Sequence, residues 1–176
     1  MSFLTISSSL HPDSRSSVLA RAAFQRFQIL GVDAEYVDLR DLALPLCDGA
    51  DCYKHPAVLK LTEQIQSAKG VLLAVPIYNY GAGATARNLI ELTGDAWRGK
   101  VVGFACAAAG DGSYMAVMAL ANSLMLNFRT VIVPRFVYTD SEAFDGDAIA
   151  NPKIQKRMDE LTETLVRFAS ALQGII

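Results

Sequence analysis

A serine-rich segment near the N-terminus has the chemistry to hold an anion without a metal ion. Residues 7–17 carry six serines together with His11 and Arg15. The segment follows an apolar run typical of a strand and precedes a helical pattern. Its backbone N–H groups would therefore lie at a helix N-terminus, where the helix dipole favours negative charge. Asp13 or Ser14 could simply cap that helix. Because one serine is enough for a cap, we favour a phosphate site over a plain connection.

A second segment, Pro76–Glu91, offers flat side chains beside backbone polar groups. The turn that begins at Pro76 would leave N–H and C=O groups free beyond the end of a strand, and Tyr78 and Tyr80 add aromatic surface. A planar heterocyclic ligand needs both kinds of contact. The run 81–86 also matches the dinucleotide fingerprint GxGxxG/A. That alternative is weak, because the run lies five residues beyond its strand and no acidic residue ends the next strand.

A third segment, 107–114, joins another predicted strand to another helix. Its alanines and its glycines Gly110 and Gly112 would let the backbone approach a planar ligand closely. A plain connection with Ser113 as the helix cap explains this loop equally well when it is taken alone. The three segments follow predicted strands one, three and four, however, and the carboxyl ends of parallel strands share one edge of a sheet. Together they predict one crevice.

The elements that must position these loops are short apolar runs alternating with helical patterns, as in a parallel sheet covered on both faces. We predict a three-layer α/β/α fold of the flavodoxin-like kind, with five parallel strands in the order 2-1-3-4-5. The predicted strands are Phe3–Ser7, Ala34–Asp38, Val71–Val75, Lys100–Cys106 and Thr130–Val133. The predicted helices are Ser14–Leu30, Pro56–Lys69, Ala84–Gly94, Ser113–Phe128 and Asn151–Leu172.

The composition of the chain limits the classes of function that we expect of it. The chain has 176 residues with 16 basic and 18 acidic side chains, a net charge of −2, and 52% hydrophobic residues. This length predicts a single domain over residues 1–176, and the near-neutral charge argues against nucleic-acid binding. No apolar run is long enough for a membrane span and no signal peptide is recognisable, so we expect a cytoplasmic protein. Three cysteines without a CxxC pair, and two histidines, predict neither a disulfide framework nor a metal site.

Two of these segments resemble the NAD(P)H-dependent FMN reductase family. The run SSLHPDSRSSVLA is similar to that family's phosphate loop, GSxRxxSxSxxLA, and PIYNYGAGATARNLIE is similar to its PxYNxxxPxxLKNxID segment. Segment 107–114 resembles the family's SxSGGxxGG turn loosely. Three positions depart from the pattern: Ser8 replaces a glycine, His11 an arginine and Gly83 a proline.

The resemblance implies FMN as cofactor and NADH or NADPH as co-substrate, with electrons passed on to a quinone, an azo compound or free flavin. The cofactor carries this chemistry, so we nominate no catalytic side chain. Candidate partners for the 2′-phosphate of NADPH are Arg15, Arg87 and Arg135. The implied cofactor-binding residues are Ser9, His11, Ser14, Arg15, Ser16, Ser17, Pro76, Ile77, Tyr78, Asn79, Ala108, Ala109 and Gly110.

Two other functions stay open. One is a flavodoxin-type electron carrier without enzymatic activity, although such carriers usually have a TxTGxT loop and strong acidity, and this chain has neither. The other is an interaction protein that has lost the cofactor, which the departures at His11, Gly83 and 107–109 would motivate. Absence of NAD(P)H oxidation would favour the first, and failure to bind FMN would favour the second.

The predicted fourth helix is apolar around its whole circumference, which is typical of a helix buried on every side. A helix that only covers a sheet normally keeps a polar outer face. We therefore expect it to form a subunit interface in a homodimer or homotetramer. The alternative is that the segment 134–151 covers it.

Overall fold

A computed structural model describes residues 2–174 and contains a central, mostly parallel β-sheet. Its strands are β1 Phe3–Ser7, β2 Ala34–Asp38, β3 Gly70–Tyr78, β4 Gly81–Ala82, β5 Val101–Ala107, β6 Val131–Ile132 and β7 Val137–Thr139. A separate hairpin is formed by β8 Phe144–Asp145 and β9 Ala148–Ile149. The helices are α1 Arg15–Ile29, α2 Pro56–Ser67, α3 Ala84–Thr93, α4 Met118–Phe128 and α5 Pro152–Ala171.

The strand order is β2-β1-β3-β5-β6, with β4 paired to β3 and β7 paired to β5. Counted over the five principal positions of the sheet, this is the predicted order 2-1-3-4-5, and the flavodoxin-like fold is confirmed. Such an order brings the ends of β1, β3 and β5 side by side, which is where the three candidate loops begin.

Helices cover both faces of the sheet, and each face has its own apolar core. Along β1, Leu4 and Ile6 belong to the core under α2, α3 and α4, whereas Phe3 belongs to the core under α1 and α5. The inner strands β1, β3 and β5 are buried along almost their whole length, as their continuous apolar character predicts. Within residues 2–174, no helix is both long and apolar enough to cross a bilayer.

Helix boundaries follow local capping chemistry. Ser14 caps α1 by accepting a hydrogen bond from the N–H of Ser17, and Asn151 caps α5 by accepting one from Lys153. Proline occupies the first position of α2 and of α5, where its missing N–H costs nothing and its fixed φ suits the helix. These helix starts therefore lie within one residue of the predicted ones.

The fifth strand is broken rather than continuous. The strand predicted over Thr130–Val133 is present as the shorter β6, which pairs with Val101 and Val102. A second piece that was not predicted, β7, resumes opposite Ala105–Ala107. Pro134 lies between the two pieces and has no N–H to donate to the ladder. The chain bulges there and then returns to the edge of β5.

The third strand is longer than predicted and ends in a hairpin. The loop expected from Pro76 is instead strand as far as Tyr78, and the chain reverses through Asn79 and Tyr80 to pair with β4. Both turn residues have positive φ, 49° and 62°, as a two-residue hairpin turn of the primed type requires. The sequence YNYG has no Asn-Gly pair at these two positions, so the usual signal for such a turn is weak.

The fourth helix is shorter than predicted and one side of it is uncovered. It begins at Met118 instead of Ser113, after a 3₁₀ turn over Asp111–Ser113. Leu120 and Leu124 pack on the sheet, whereas Leu126 is 77% exposed. The alternative in which the segment 134–151 covers this helix is wrong, because Leu126 stays exposed. Phe136 and Tyr138 of that segment reach the core on the side of α4, but most of the segment packs with α1 and α5 on the opposite face.

Candidate functional site

A cavity of about 280 Å³ lies at the carboxyl ends of β1, β3 and β5. Ten of the predicted site residues line it: Ser9, His11, Ser14, Arg15, Ser16, Pro76, Ile77, Tyr78, Ala108 and Ala109. Three further lining residues were not predicted, namely Asp13, Ala107 and Ser141. The predicted residues Ser17, Asn79 and Gly110 are not among its lining residues. The three candidate loops thus meet at one crevice.

The serines of the first loop form a compact set of hydroxyl groups at the start of α1. Ser9, Ser14 and Ser16 are all nearly buried, and the Oγ atoms of Ser14 and Ser16 lie 3.0 Å apart. The N–H groups of Arg15 and Ser16 are in the first turn and have no intrahelical acceptor. Hydroxyl donors beside free helix N–H groups suit the oxygens of a phosphate group, so this donor set fits the phosphate of FMN.

Ser8 and Ser17 direct their hydroxyl groups elsewhere. Ser8 Oγ donates to the Ala74 carbonyl at 2.8 Å, and its N–H donates to the same oxygen at 3.0 Å. These bonds extend the contact between β1 and β3, which explains how a serine is accommodated where the related pattern has glycine. Ser17 Oγ accepts hydrogen bonds from Arg21 at 2.7 Å and from Arg40 at 3.2 Å.

The two predicted basic residues, Arg15 and His11, line the cavity, but both already form hydrogen bonds to other parts of this chain. The Arg15 guanidinium donates to the Ser141 carbonyl at 2.8 Å and stacks over the Phe144 ring. It therefore joins α1 to the turn over Ser141–Ala143. His11 is exposed, and its Nδ1 accepts from the N–H of Asp13 at 3.0 Å. Asp13 itself places a carboxylate at the mouth of the cavity.

Arg40 is a positioning residue that the sequence analysis missed. It forms an ion pair with Asp38 at the end of β2, with 2.7 Å between Nη2 and Oδ2. The same guanidinium donates to the carbonyls of Pro12 and His11 at 2.5 and 3.3 Å, and to Ser17 Oγ. The sequence could have indicated Arg40, because Asp38 and Arg40 lie where β2 ends, next to the serine-rich loop. Nothing in the neighbouring sequence indicates Ser141 in this way.

Asp38 is held in its ionised form by this arrangement. Its side chain is only 4% exposed. Burial alone would raise the pKa of this carboxyl, but hydrogen bonds from the Arg40 side chain and backbone N–H and from Tyr36 outweigh it, and the net pKa is lowered. The pair therefore provides a fixed charged anchor beneath the serine-rich loop.

The opposite wall of the cavity is built from small residues held by Tyr138. Its hydroxyl donates to the Gly110 carbonyl at 2.5 Å and lies 2.6 Å from Ser113 Oγ. These hydrogen bonds hold residues Ala107–Ala109, at the end of β5, in place. The carbonyl oxygen of Gly110 is therefore already hydrogen-bonded within the protein. Tyr78 is 55% exposed at the end of β3, which leaves aromatic surface at the mouth.

The other candidate arginines lie in ion pairs. Arg87 Nε is 2.7 Å from Glu91 Oε1, one helical turn away, and Arg135 pairs with Glu160 of α5. Neither lines the cavity. Asn88, which matches the second asparagine of the PxYNxxxPxxLKNxID segment, has a structural role, since its side chain binds the backbone of Pro45 and Cys47 at 2.9 Å each.

Comparison with known proteins identifies the family to which the chain belongs. Residues 1–145 match the sequence profile described as NADPH-dependent FMN reductase. An NAD(P)H-dependent FAD/FMN reductase of Geobacillus thermodenitrificans is 26% identical over 149 residues, covering 81% of this chain and 79% of the relative. An FMN reductase (NADPH) of Escherichia coli is 27% identical over 169 residues, covering 93% and 87%.

Among solved structures, the flavoenzyme FerB of Paracoccus denitrificans, an NAD(P)H:(acceptor) oxidoreductase, superposes with a TM-score of 0.79. It is 22% identical, and the superposition covers 97% of both chains. At this identity the likeness shows a shared fold, whereas the profile match spans most of the chain. The chain therefore belongs to the NADPH-dependent FMN reductase family, a family of NAD(P)H-dependent flavin oxidoreductases.

Proposed function

We propose that this chain binds FMN in the cavity at the ends of β1, β3 and β5 and uses NADH or NADPH to reduce it. The observation that carries the proposal is the meeting, in one cavity, of the Ser9, Ser14 and Ser16 hydroxyls with the backbone of Ile77–Tyr78 and Ala107–Ala109. The first group suits a phosphate, and the second offers polar backbone and apolar surface to a planar ring. Bound FMN supplies the hydride-accepting and electron-transferring chemistry.

The residues of the chain then have positioning roles only. Ser9, Ser14 and Ser16 donate to the phosphate together with the first N–H groups of α1. The backbone at Ile77 and Ala108 flanks the ring, and Tyr78 shields one side of it from water. Electron acceptors in this proposal are small molecules, namely a quinone, an azo compound or free flavin. We place the enzyme in the cytoplasm, where NAD(P)H is available and unpaired cysteines stay reduced.

The serine cluster is tested by titrating the apoprotein with FMN and following the quenching of flavin fluorescence. We expect the Kd of Ser16→Ala to rise about tenfold, because one buried charge-assisted hydrogen bond is lost. Ser8→Gly is the matched control from the same loop. Its hydroxyl binds Ala74, so its Kd should stay within about twofold of the unmodified protein. If the two substitutions changed the Kd for FMN equally, the phosphate would have to be bound somewhere other than the serine cluster.

Catalysis is tested by the visible spectrum and by anaerobic reduction with NADH and NADPH. A yellow protein whose flavin bleaches on addition of either nucleotide is an oxidoreductase that retains FMN. A colourless protein that oxidises NAD(P)H only when FMN is added releases its flavin as product. Binding of FMN without any oxidation of NAD(P)H would instead favour a simple electron carrier.

The homo-oligomer belongs to the same proposal. The outer side of α4 carries exposed apolar side chains beside the exposed Asn122 and Asn127. Leu126 and Met125 are exposed by 77% and 39%, and Met115 before the helix by 62%. A second copy of the chain that packs there would bury this surface. In a homodimer or homotetramer, the exposed Tyr78 and Tyr80 near the cavity mouth would also be shielded.

A further inference from the structure

Two of the three cysteines lie side by side, away from the cavity assigned to FMN. Cys52 Sγ is 4.0 Å from Cys47 Sγ and is placed to donate its thiol hydrogen to it. All three cysteines are free thiols. Cys106, by contrast, is buried in β5 and burial raises its pKa to about 12, so it is chemically inert.

The chain between the two cysteines is folded so that their side chains meet. Asp48 Oδ1 accepts hydrogen bonds from the N–H groups of Ala50 and Cys52 at 2.8 and 3.2 Å. Gly49 has a φ of +74°, a conformation that glycine adopts without strain. On the other side, the N–H of Cys47 donates to Asn88 Oδ1 of α3. Both ends of this small loop are therefore held in place.

The two thiols have different surroundings. Such a difference suits a pair in which one thiol reacts with an oxidant and the other then attacks the oxidised sulfur. Cys47 is partly exposed and lines a separate cavity of about 600 Å³ among α2, α3 and α4. The hydroxyl of Tyr53 lies 3.5 Å from its sulfur. Cys52 is buried beside Val58 and Leu92. Among residues 2–174, no third His, Cys, Asp or Glu side chain completes a metal-binding group with the pair.

We propose that Cys47 and Cys52 form a thiol oxidation site, at which a small hydroperoxide that enters the α2–α4 cavity converts the two thiols into an intramolecular disulfide. The Cys47 sulfur attacks one peroxide oxygen, the S–O bond forms and the O–O bond breaks, and the leaving oxygen departs with the thiol proton as water or an alcohol. The Cys52 sulfur then attacks the resulting sulfenic acid. An S–S bond forms, the hydroxyl leaves with the Cys52 proton as water, and the peroxide has taken two electrons from the two thiols.

The geometry requires only a short movement. The two sulfurs must close from 4.0 Å to the bonding distance of about 2 Å. Tyr53 remains a proton donor throughout, since its hydrogen bond to Cys47 and the nearby charges raise its pKa to about 12. It can donate to the sulfur while Cys47 attacks as its thiolate, the reactive form of a cysteine.

The test uses the full chain, reduced and then treated with hydrogen peroxide, unfolded in guanidinium chloride and blocked there with an alkylating reagent, and digested with trypsin. Cleavage after Arg40 and Lys54 gives one peptide, 41–54, that holds both cysteines, whereas peptide 101–129 holds Cys106 alone. We expect peptide 41–54 to lose the mass of two hydrogens and to resist alkylation until it is reduced with dithiothreitol. Peptide 101–129 in the same sample is the internal control and should be alkylated in full.

Single variants assign the roles of the two thiols. Cys52→Ala should accumulate a sulfenic acid on Cys47 that dimedone traps, and Cys47→Ser should leave Cys52 unmodified. Tyr53→Phe should slow disulfide formation about fivefold, the effect of one hydrogen bond to a charged sulfur. Tyr114→Phe is its control, because Tyr114 is similarly exposed but packs on Tyr138. It should oxidise at the unmodified rate.

Three results would overturn the proposal. They are a folded protein whose peptide 41–54 stays fully alkylated after peroxide, a disulfide that links this peptide to 101–129, and a disulfide that joins two copies of the chain. All readouts are masses of thiol peptides, so they do not depend on FMN binding. The oxidation site and the proposed reductase function can therefore fail separately.

Discussion

At the scale of single residues, Arg40 holds the serine-rich loop in shape although it does not line the cavity. Its guanidinium reaches Asp38 in β2, the loop carbonyls at His11 and Pro12, and Ser17 in α1. A planar group with five donors can make such a set of contacts at once, and a lysine ammonium cannot match that geometry. We therefore expect Arg40 to act on FMN binding through the position of the loop.

Replacing Arg40 with methionine should weaken FMN binding about tenfold and lower the free energy of unfolding by about 1–3 kcal/mol, because Asp38 is left buried without its cation. Arg40→Lys should recover part of the stability but little of the affinity. Fluorescence titration and urea unfolding measure the two effects. Arg21→Met is the control, since Arg21 shares Ser17 but pairs with the exposed Asp147. Equal loss of affinity in both variants would contradict the role of the loop carbonyls.

The same ion pair predicts a pH dependence of stability. The pKa of Asp38 is lowered from its ordinary value of 3.8 in the folded protein. A carboxyl with a lowered folded pKa contributes its full stability above its unfolded pKa, and that contribution is lost as the pH falls through the folded pKa. The difference in free energy of unfolding between the unmodified protein and Arg40→Met should therefore be largest near pH 7 and should shrink as the pH falls below about 4. Urea unfolding across this pH range would contradict the prediction if the difference stayed constant.

At the scale of elements, what the sequence could predict depends on how local the cause is. The start of α1 is fixed by Ser14 and the start of α2 by Pro56, and both are readable from neighbouring residues. The break after β6 depends instead on whether Pro134 faces a strand partner, which only the assembled sheet decides. The β3–β4 hairpin was missed for a similar reason, because Asn79 and Tyr80 adopt positive φ only within that pairing.

The candidate site likewise has features that the sequence predicts and features that only the folded structure shows. Its serines, Tyr78 and the small residues after β5 were predictable because each follows an apolar strand at the same sheet edge. The orientation of individual side chains was not. Ser17 belongs to the same pattern as Ser16, but its hydroxyl is taken by Arg21, one helical turn away, and by Arg40, which follows β2 and is far from it in sequence.

Gly83 closes the β3–β4 hairpin and should not tolerate the proline found in the related pattern. Its N–H donates to the Pro76 carbonyl at 2.8 Å, and a Cβ atom at this position would lie 2.9 Å from Pro76 Cγ. Gly83→Pro should lower the free energy of unfolding by about 2–4 kcal/mol through the lost hydrogen bond and the clash. Gly83→Ala keeps the N–H and should cost less. Urea unfolding compares the two, and a proline variant as stable as the alanine variant would contradict the role of the hydrogen bond.

At the scale of the whole molecule, the two faces of the sheet differ in how well they are covered. The face under α1 and α5 also carries the β8–β9 hairpin and the segment that leads to it. The other face carries α2, α3 and α4, and the exposed apolar side chains of α4 remain on its surface. This asymmetry is the basis for placing a second copy of the chain against α4.

Leu126→Glu should shift the protein to monomers, because a carboxylate in an apolar interface loses its hydration without gaining a partner. Sedimentation velocity across a range of protein concentrations measures the shift. Ile29→Glu is the matched control, since Ile29 is exposed by 73%, similarly to Leu126, but lies at the end of α1. An unmodified protein that sediments as a monomer at every concentration would rule out the interface.

The broken fifth strand also bears on how the protein behaves in a crowded solution. A long, flat edge strand offers a row of unpaired N–H and C=O groups to any other extended chain and so seeds aggregation. Here that edge consists of pieces of two and three residues, β6 and β7, separated by Pro134. The opposite edge, β2, carries the exposed charged side chain of Glu35. Both edges of the sheet therefore disfavour pairing with the edge strand of another molecule. A protein with apolar surface on α4 can then associate through that helix without polymerising through its strands.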